Sequence, residues 1–89
     1  MTKYKLSMTK QAKADRDKIK NISALRKKAE QLLDLIAENP YITPPDFEKL
    51  TGDLNGAYSR RLNKQHRLVY EIREDSKEII IIRMWTHYQ

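Results

Sequence analysis

The segment Ala57–Tyr70, which reads AYSRRLNKQHRLVY, concentrates basic side chains that could bind a phosphate group. Two short runs of alternating residues flank the polar residues 63–65, a connection long enough for a β-hairpin. Because successive side chains of a strand point to opposite faces, Arg61 and Arg67 are expected on the outer face if Tyr70 faces the core. A guanidinium stays charged and grips phosphate through paired donors, so the hairpin predicts a phosphate-binding surface.

The run Ile79–Trp85, IIIIRMW, is the strongest strand signal in the chain, since it is continuous and β-branched. The core face of the sheet is predicted to carry Leu62, Leu68, Tyr70, Ile80, Ile82 and Met84. The opposite face would then present the basic side chains of three neighbouring strands: Arg61, Arg67, Arg83 and His87. A bulge or a slip in register would reverse the assignment for a strand.

Such a groove suits RNA cleavage without a metal ion. The 2′-hydroxyl of the substrate attacks the adjacent phosphorus, so the protein must supply only a base, positive charge and an acid. Glu48 is the candidate base, the two hairpin arginines are the clamp, and His87 is the candidate acid because imidazole titrates near neutral pH. Tyr88 and Trp85 could stack on bases or help to place the leaving group.

Each of these residues also has a structural interpretation. Glu48 is one of twelve acidic residues, and most of these are expected to be solvated. His87 could be a frayed terminal residue, and His66, beside the predicted turn, is expected to be structural or solvent-facing. Packing and base stacking are equally consistent with Trp85. A non-catalytic module that binds RNA or the ribosome through the same basic face is therefore the alternative function.

Composition limits the other function classes. The 89 residues predict a single domain spanning 1–89, and the net charge of +6 suits a polyanion or an acidic protein partner, or simply a solvated surface. Without cysteine there is no disulfide or thiolate metal site, and two histidines with scattered carboxylates lack the spacing of a metal site. No cofactor is expected. No apolar run approaches the length of a membrane span, so a cytoplasmic protein is expected.

The N-terminal half predicts the elements that support this face. A short edge strand over Lys3–Met8 is followed by a helix over Thr9–Asn21, and a second helix over Ser23–Glu38 has the apolar spacing to cover the sheet. The first helix carries a basic face, which we hypothesise to touch RNA phosphates: Lys13, Arg16 and Lys20. Residues 40–56 are expected to be a long loop, giving an α+β fold of the order β-α-α-β-β-β with a small, mainly antiparallel sheet.

Three motifs resemble one known family. The run LNGAYSRRL at residues 54–62, HRLVY at residues 66–70 and HY at residues 87–88 are similar to the YoeB/Txe toxins of bacterial toxin–antitoxin modules, within the RelE-like group. The resemblance implies an mRNA interferase that cleaves translated mRNA in the ribosomal A site, where it also meets ribosomal RNA. It also implies inhibition by a cognate antitoxin that covers the site, and an ability to form homodimers.

The resemblance implies a role for each matched residue. The glutamate of the family falls on Glu48 as general base, and its arginines fall on Arg61 and Arg67 for binding phosphate and transition-state charge. Its histidine falls on His87 as general acid, followed by its terminal tyrosine on Tyr88. The setting of Glu48 departs from the proline-rich pattern of the family, and Gln89 extends the chain beyond the tyrosine.

Overall fold

Two helices and a five-stranded sheet make up the computed structural model, which describes residues 3–85. The elements in chain order are β1 (Lys5–Met8), α1 (Lys10–Ile19), α2 (Ser23–Glu38), β2 (Phe47–Lys49), a 3₁₀ turn (Gly52–Leu54), β3 (Tyr58–Arg61), β4 (Arg67–Arg73) and β5 (Glu78–Arg83). The strands lie in the order β1-β5-β4-β3-β2, with β1 parallel to β5 and the other pairs antiparallel. The predicted α+β class, with two helices packed on a mainly antiparallel sheet, is confirmed, and β1 is an edge strand as expected. The candidate residues His87 and Tyr88 lie outside the described residues.

Both helices are amphipathic and bury one stripe each. Thr9 caps α1, since its hydroxyl accepts from the amide of Ala12 at 3.1 Å. The stripe of α2 is buried at Leu25, Ala29, Leu32 and Ile36. Ile22 holds the N-cap position of α2 without a side-chain bond, and its own side chain is exposed.

The predicted face assignment of β5 is wrong for its isoleucines, and the strand contains a β-bulge beyond them. Ile79 and Ile81 are fully buried and pair with Ile72 and Tyr70, whereas Ile80 and Ile82 are only half-buried. The register then moves one residue along β4 but two along β5. This extra residue returns Met84 to the core, as predicted for that residue alone.

The segment predicted as a loop contains a fifth strand. Within residues 40–56, Phe47–Lys49 form β2, which pairs antiparallel with β3 at the second edge of the sheet. Glu48 lies opposite Ser59 in this register, and Arg61 lies opposite Arg67 in the next pair. The extra strand therefore places Glu48 on the sheet itself, two strands from Arg67.

Candidate active site

A cleft of about 360 Å³ opens over β2, β3 and β4, on the face of the sheet opposite the helices. Its walls are formed by Pro45, Asp46, Phe47, Glu48, Ser59, Arg61 and Arg67. Alternation along the paired strands explains why four of these side chains converge, since Glu48 shares a face with Ser59 and Arg61 with Arg67. Three sequence-predicted residues, Glu48, Arg61 and Arg67, are thus brought together.

Arg67 is the most constrained of the charged groups in the cleft. Its Nη1 donates to the hydroxyl of the buried Ser59 at 3.2 Å and lies 3.4 Å from Oε1 of Glu48. The side chain of Arg67 is 19% exposed against 67% for Glu48, so the guanidinium is held in the floor while the carboxylate remains open to solvent. Sequence reasoning did not single out Ser59, which orients this guanidinium. Glu48 and Arg67 together place a proton acceptor and a fixed cation within reach of one phosphate.

A buried arginine fixes the wall of the cleft that leads into β2. The guanidinium of Arg60 is fully buried and donates to the carbonyls of Pro40 (2.9 Å) and Pro45. Its Nε donates to the hydroxyl of Tyr70 at 2.9 Å, and the guanidinium lies 4.9 Å from the ring of Phe47. The sequence indicated only that Arg60 points away from Arg61. These contacts hold residues 40–47 against the sheet and so fix the position of the neighbouring Glu48.

Tyr70 completes this anchor from the neighbouring strand. Its hydroxyl donates to the carbonyl of Pro40 at 2.9 Å. Burial raises the pKa of Tyr70 even though the guanidinium of Arg60 opposes the shift. The phenol therefore stays protonated and remains a donor over the physiological range of pH.

The fold agrees with comparisons to known proteins. A sequence model for YoeB-like toxins of bacterial type II toxin–antitoxin systems matches residues 9–88. This chain belongs to that family. It is 38% identical over 69 residues to the Toxin YoeB of Synechocystis sp., an alignment that covers 78% of each chain.

Solved structures of YoeB-like toxins superpose closely on this one. The chain is 33% identical to YoeB in the YoeB–YefM complex from Staphylococcus aureus, with a TM-score of 0.81 and coverage of 96% of this chain and 98% of that one. The YoeB dimer from the same organism gives a TM-score of 0.82 at 33% identity, covering 97% and 99%. These relatives bind an antitoxin and form a dimer, respectively.

Two further predicted residues of this YoeB-like toxin lie away from the cleft. Arg83 does not line the cleft with Arg61 and Arg67. Beyond the bulge it pairs with Val69, and its Nε donates to buried Asp15 of α1 at 3.2 Å. Trp85 stacks on the imidazole of His66 with ring centroids 3.9 Å apart. His66 is buried, in agreement with a structural role.

The basic residues of α1 form a separate exposed surface. Lys13, Arg16 and Lys20 are all exposed and line no part of the cleft. Lys20 lies 3.8 Å from Asp17, an exposed pair of little energetic consequence. Within residues 3–85 no group of histidine or acidic side chains has the arrangement of a metal site, and no helix in this range is long and apolar enough to cross a membrane.

Proposed function

We propose that this toxin is a ribosome-dependent endoribonuclease that cleaves translated mRNA in the cytoplasm. The observation that supports it best is the approach of Glu48 to Arg67, at 3.4 Å in an open cleft beside Arg61. A carboxylate next to fixed guanidinium groups supplies both a proton acceptor and charge stabilisation, which are the two requirements for attack by a 2′-hydroxyl. Membership of the YoeB-like family supports the same reaction class.

In the proposed reaction, Glu48 accepts the proton of the 2′-hydroxyl as this oxygen bonds to the adjacent phosphorus. Arg67 and Arg61 balance the charge that develops on the phosphoryl oxygens. The bond from phosphorus to the 5′-oxygen then breaks, and His87 protonates the departing oxygen. The products are a 2′,3′-cyclic phosphate and a 5′-hydroxyl, so no water is consumed in this step. The roles of His87 and Tyr88 rest on the sequence and the family resemblance, since both lie outside the described residues.

Glu48→Gln tests the chemistry against the rival function of a non-catalytic ribosome-binding module. The amide has the same shape but cannot take a proton, so we expect the rate of cleavage to fall by about 100-fold or more while ribosome affinity is retained. Primer extension on translated mRNA, with and without ribosomes, measures cleavage, and sedimentation with ribosomes measures binding.

The matched control is Glu71→Gln, which alters a carboxylate of β4 that pairs with Arg73 outside the cleft. This variant should cleave at the rate of the unaltered toxin. Full activity of Glu48→Gln would remove Glu48 from the role of base. A native protein that binds ribosomes but never cleaves mRNA would instead establish the binding module.

The exposed basic face of α1 offers a surface for ribosomal RNA. The charged residues that line the cleft are two arginines and two carboxylates, so the cleft itself adds no net positive charge for a polyanion. Reversing the charge of Lys13, Arg16 and Lys20 together should weaken ribosome binding. The slope of log K against log salt should fall by about 2, as expected for three lost phosphate contacts.

Binding titrations between low and moderate salt measure this slope. The control reverses the charge of three exposed lysines elsewhere, Lys5, Lys27 and Lys28, and therefore changes the net charge by the same amount. An equal effect of both triple variants would mean that only the total charge matters. An unchanged slope in the first variant would assign its residues to solvation.

We also propose a cognate antitoxin as the natural inhibitor and a second copy of the chain as a partner. The complex and the dimer of the Staphylococcus aureus relatives support both partners by similarity. An antitoxin segment seated in the cleft would exclude RNA from Arg61 and Arg67. Co-purification with the product of a neighbouring reading frame tests the first partner, and analytical ultracentrifugation tests the second.

A further inference from the structure

Asp15 is a fully buried carboxylate that joins α1 to the end of β5, about 70 residues later in the chain. Its Oδ2 accepts from the backbone amides of Met84 (3.0 Å) and Trp85 (3.1 Å) and from Nε of Arg83 (3.2 Å). Its Oδ1 accepts from the side-chain amide of Gln11 at 3.0 Å. Three of the four donors therefore belong to consecutive residues, the last residue of β5 and the two that follow it.

These bonds satisfy backbone amides that lie beyond the last residues paired between strands. The pairing of β1 with β5 ends at Met8 and Ile81, so the amides of residues 84 and 85 need another acceptor. Burial by itself raises the pKa of Asp15, but the hydrogen bonds from Met84, Gln11, Trp85 and Arg83 outweigh it, and the pKa is lowered. An ionised carboxylate is the stronger acceptor, and it holds these residues in one conformation.

Trp85 of the same segment also packs against the hairpin formed by β3 and β4. Trp85 stacks on His66, with 25° between the ring planes, and His66 immediately precedes Arg67 of the cleft. The chain therefore leaves Trp85 beside the strand that carries the phosphate-binding arginine. His87, the proposed acid, follows Trp85 by two residues in the sequence.

We propose that Asp15 is a positioning residue, which fixes the segment Arg83–Trp85 that precedes the proposed acid His87 in the sequence, and that cleavage depends on this order. This inference rests on the proposed function for the role of His87. It assigns to the first helix a task in catalysis beyond covering the sheet.

The test replaces Asp15 with Asn, which keeps the size of the side chain and removes its charge. Trp85 is the only tryptophan of the chain, so its fluorescence reports directly on this segment. We expect more exposure of Trp85 to acrylamide quenching. We also expect a fall of about tenfold to a hundredfold in the single-turnover cleavage rate, with unchanged affinity for ribosomes, since a small misplacement of an acid is enough. Both measurements are made at a temperature where circular dichroism shows the variant to be folded.

The control is Asp17→Asn, an exposed carboxylate on the same helix that contacts only Lys20 among the described ion pairs. It should change neither measurement. If Asp15→Asn does not fold, Gln11→Ala removes one bond to the same carboxylate from an exposed position, and the same two changes are expected to a smaller degree.

Unchanged quenching and an unchanged rate would overturn the proposal. So would a slower rate without new exposure of Trp85, because Asp15 would then act by another route, or new exposure without a slower rate. Failure of the native toxin to cleave any mRNA would count against the proposed nuclease instead. The quenching result would still decide whether Asp15 holds the segment.

Discussion

Replacing Arg67 by Ala is expected to abolish measurable mRNA cleavage while the protein stays folded. The guanidinium lies in the floor of the cleft, fixed by the hydroxyl of Ser59 and facing Glu48. A preorganised donor aimed at developing charge contributes about 100- to 1000-fold to a rate, and the loss of Arg67 also removes a phosphate contact. Single-turnover cleavage on programmed ribosomes measures the effect.

The fold is expected to survive this change because the ion pair with Glu48 is largely open to solvent on its acidic side. Arg73→Ala is the matched control, since it removes the same group from the far end of the same strand, where Arg73 pairs with Glu71. Arg67→Lys should give an intermediate rate, because an ammonium keeps the charge but not the paired donors. Native cleavage by Arg67→Ala would exclude this cleft as the catalytic site.

The sequence predicted the hairpin part of the cleft correctly because a short polar connection joins two strands that pair regularly. The register runs without a break from Tyr58 opposite Tyr70 to Arg61 opposite Arg67, so side-chain parity holds on both strands. In β5 four consecutive isoleucines make both faces look alike, so the pattern holds no information about direction. Arg83, beyond the bulge, is bound to Asp15 of α1 and does not line the cleft, a contact that no local pattern indicates.

The residues that support the site were harder to find because their partners are distant in sequence. Asp15 stands among exposed charges on α1, and nothing in its local pattern distinguishes it from Asp17. Its partners lie about 70 residues away. With three residues, β2 is too short to show a periodic pattern. The strand is stabilised by pairing with the edge of β3 and by the bond from Arg60 to the segment before it. Long-range hydrogen bonds of this kind are properties of the fold and not of a local segment.

The anchor at Arg60 leads to the largest expected loss of stability. Replacing Arg60 by Met keeps most of the packing volume and removes every donor. The half-buried carbonyl of Pro45 loses the bond from Arg60, and the buried carbonyl of Pro40 and hydroxyl of Tyr70 keep only the bond between them. We expect the free energy of unfolding to fall by about 3 kcal/mol, since each unsatisfied buried polar group costs about 1–3 kcal/mol. Urea denaturation, with the midpoint and the slope both fitted, measures the change.

Arg61→Met is the stability control, because it alters the adjacent arginine on the exposed face of the same strand and should change the free energy of unfolding by less than about 0.5 kcal/mol. At a temperature where Arg60→Met remains folded, its cleavage rate should still be reduced, because the freed segment before β2 no longer fixes Glu48. Equal stability of the two variants would show that the buried guanidinium does not hold residues 40–47 to the sheet. The wall of the cleft would then depend on the pairing of β2 with β3 alone.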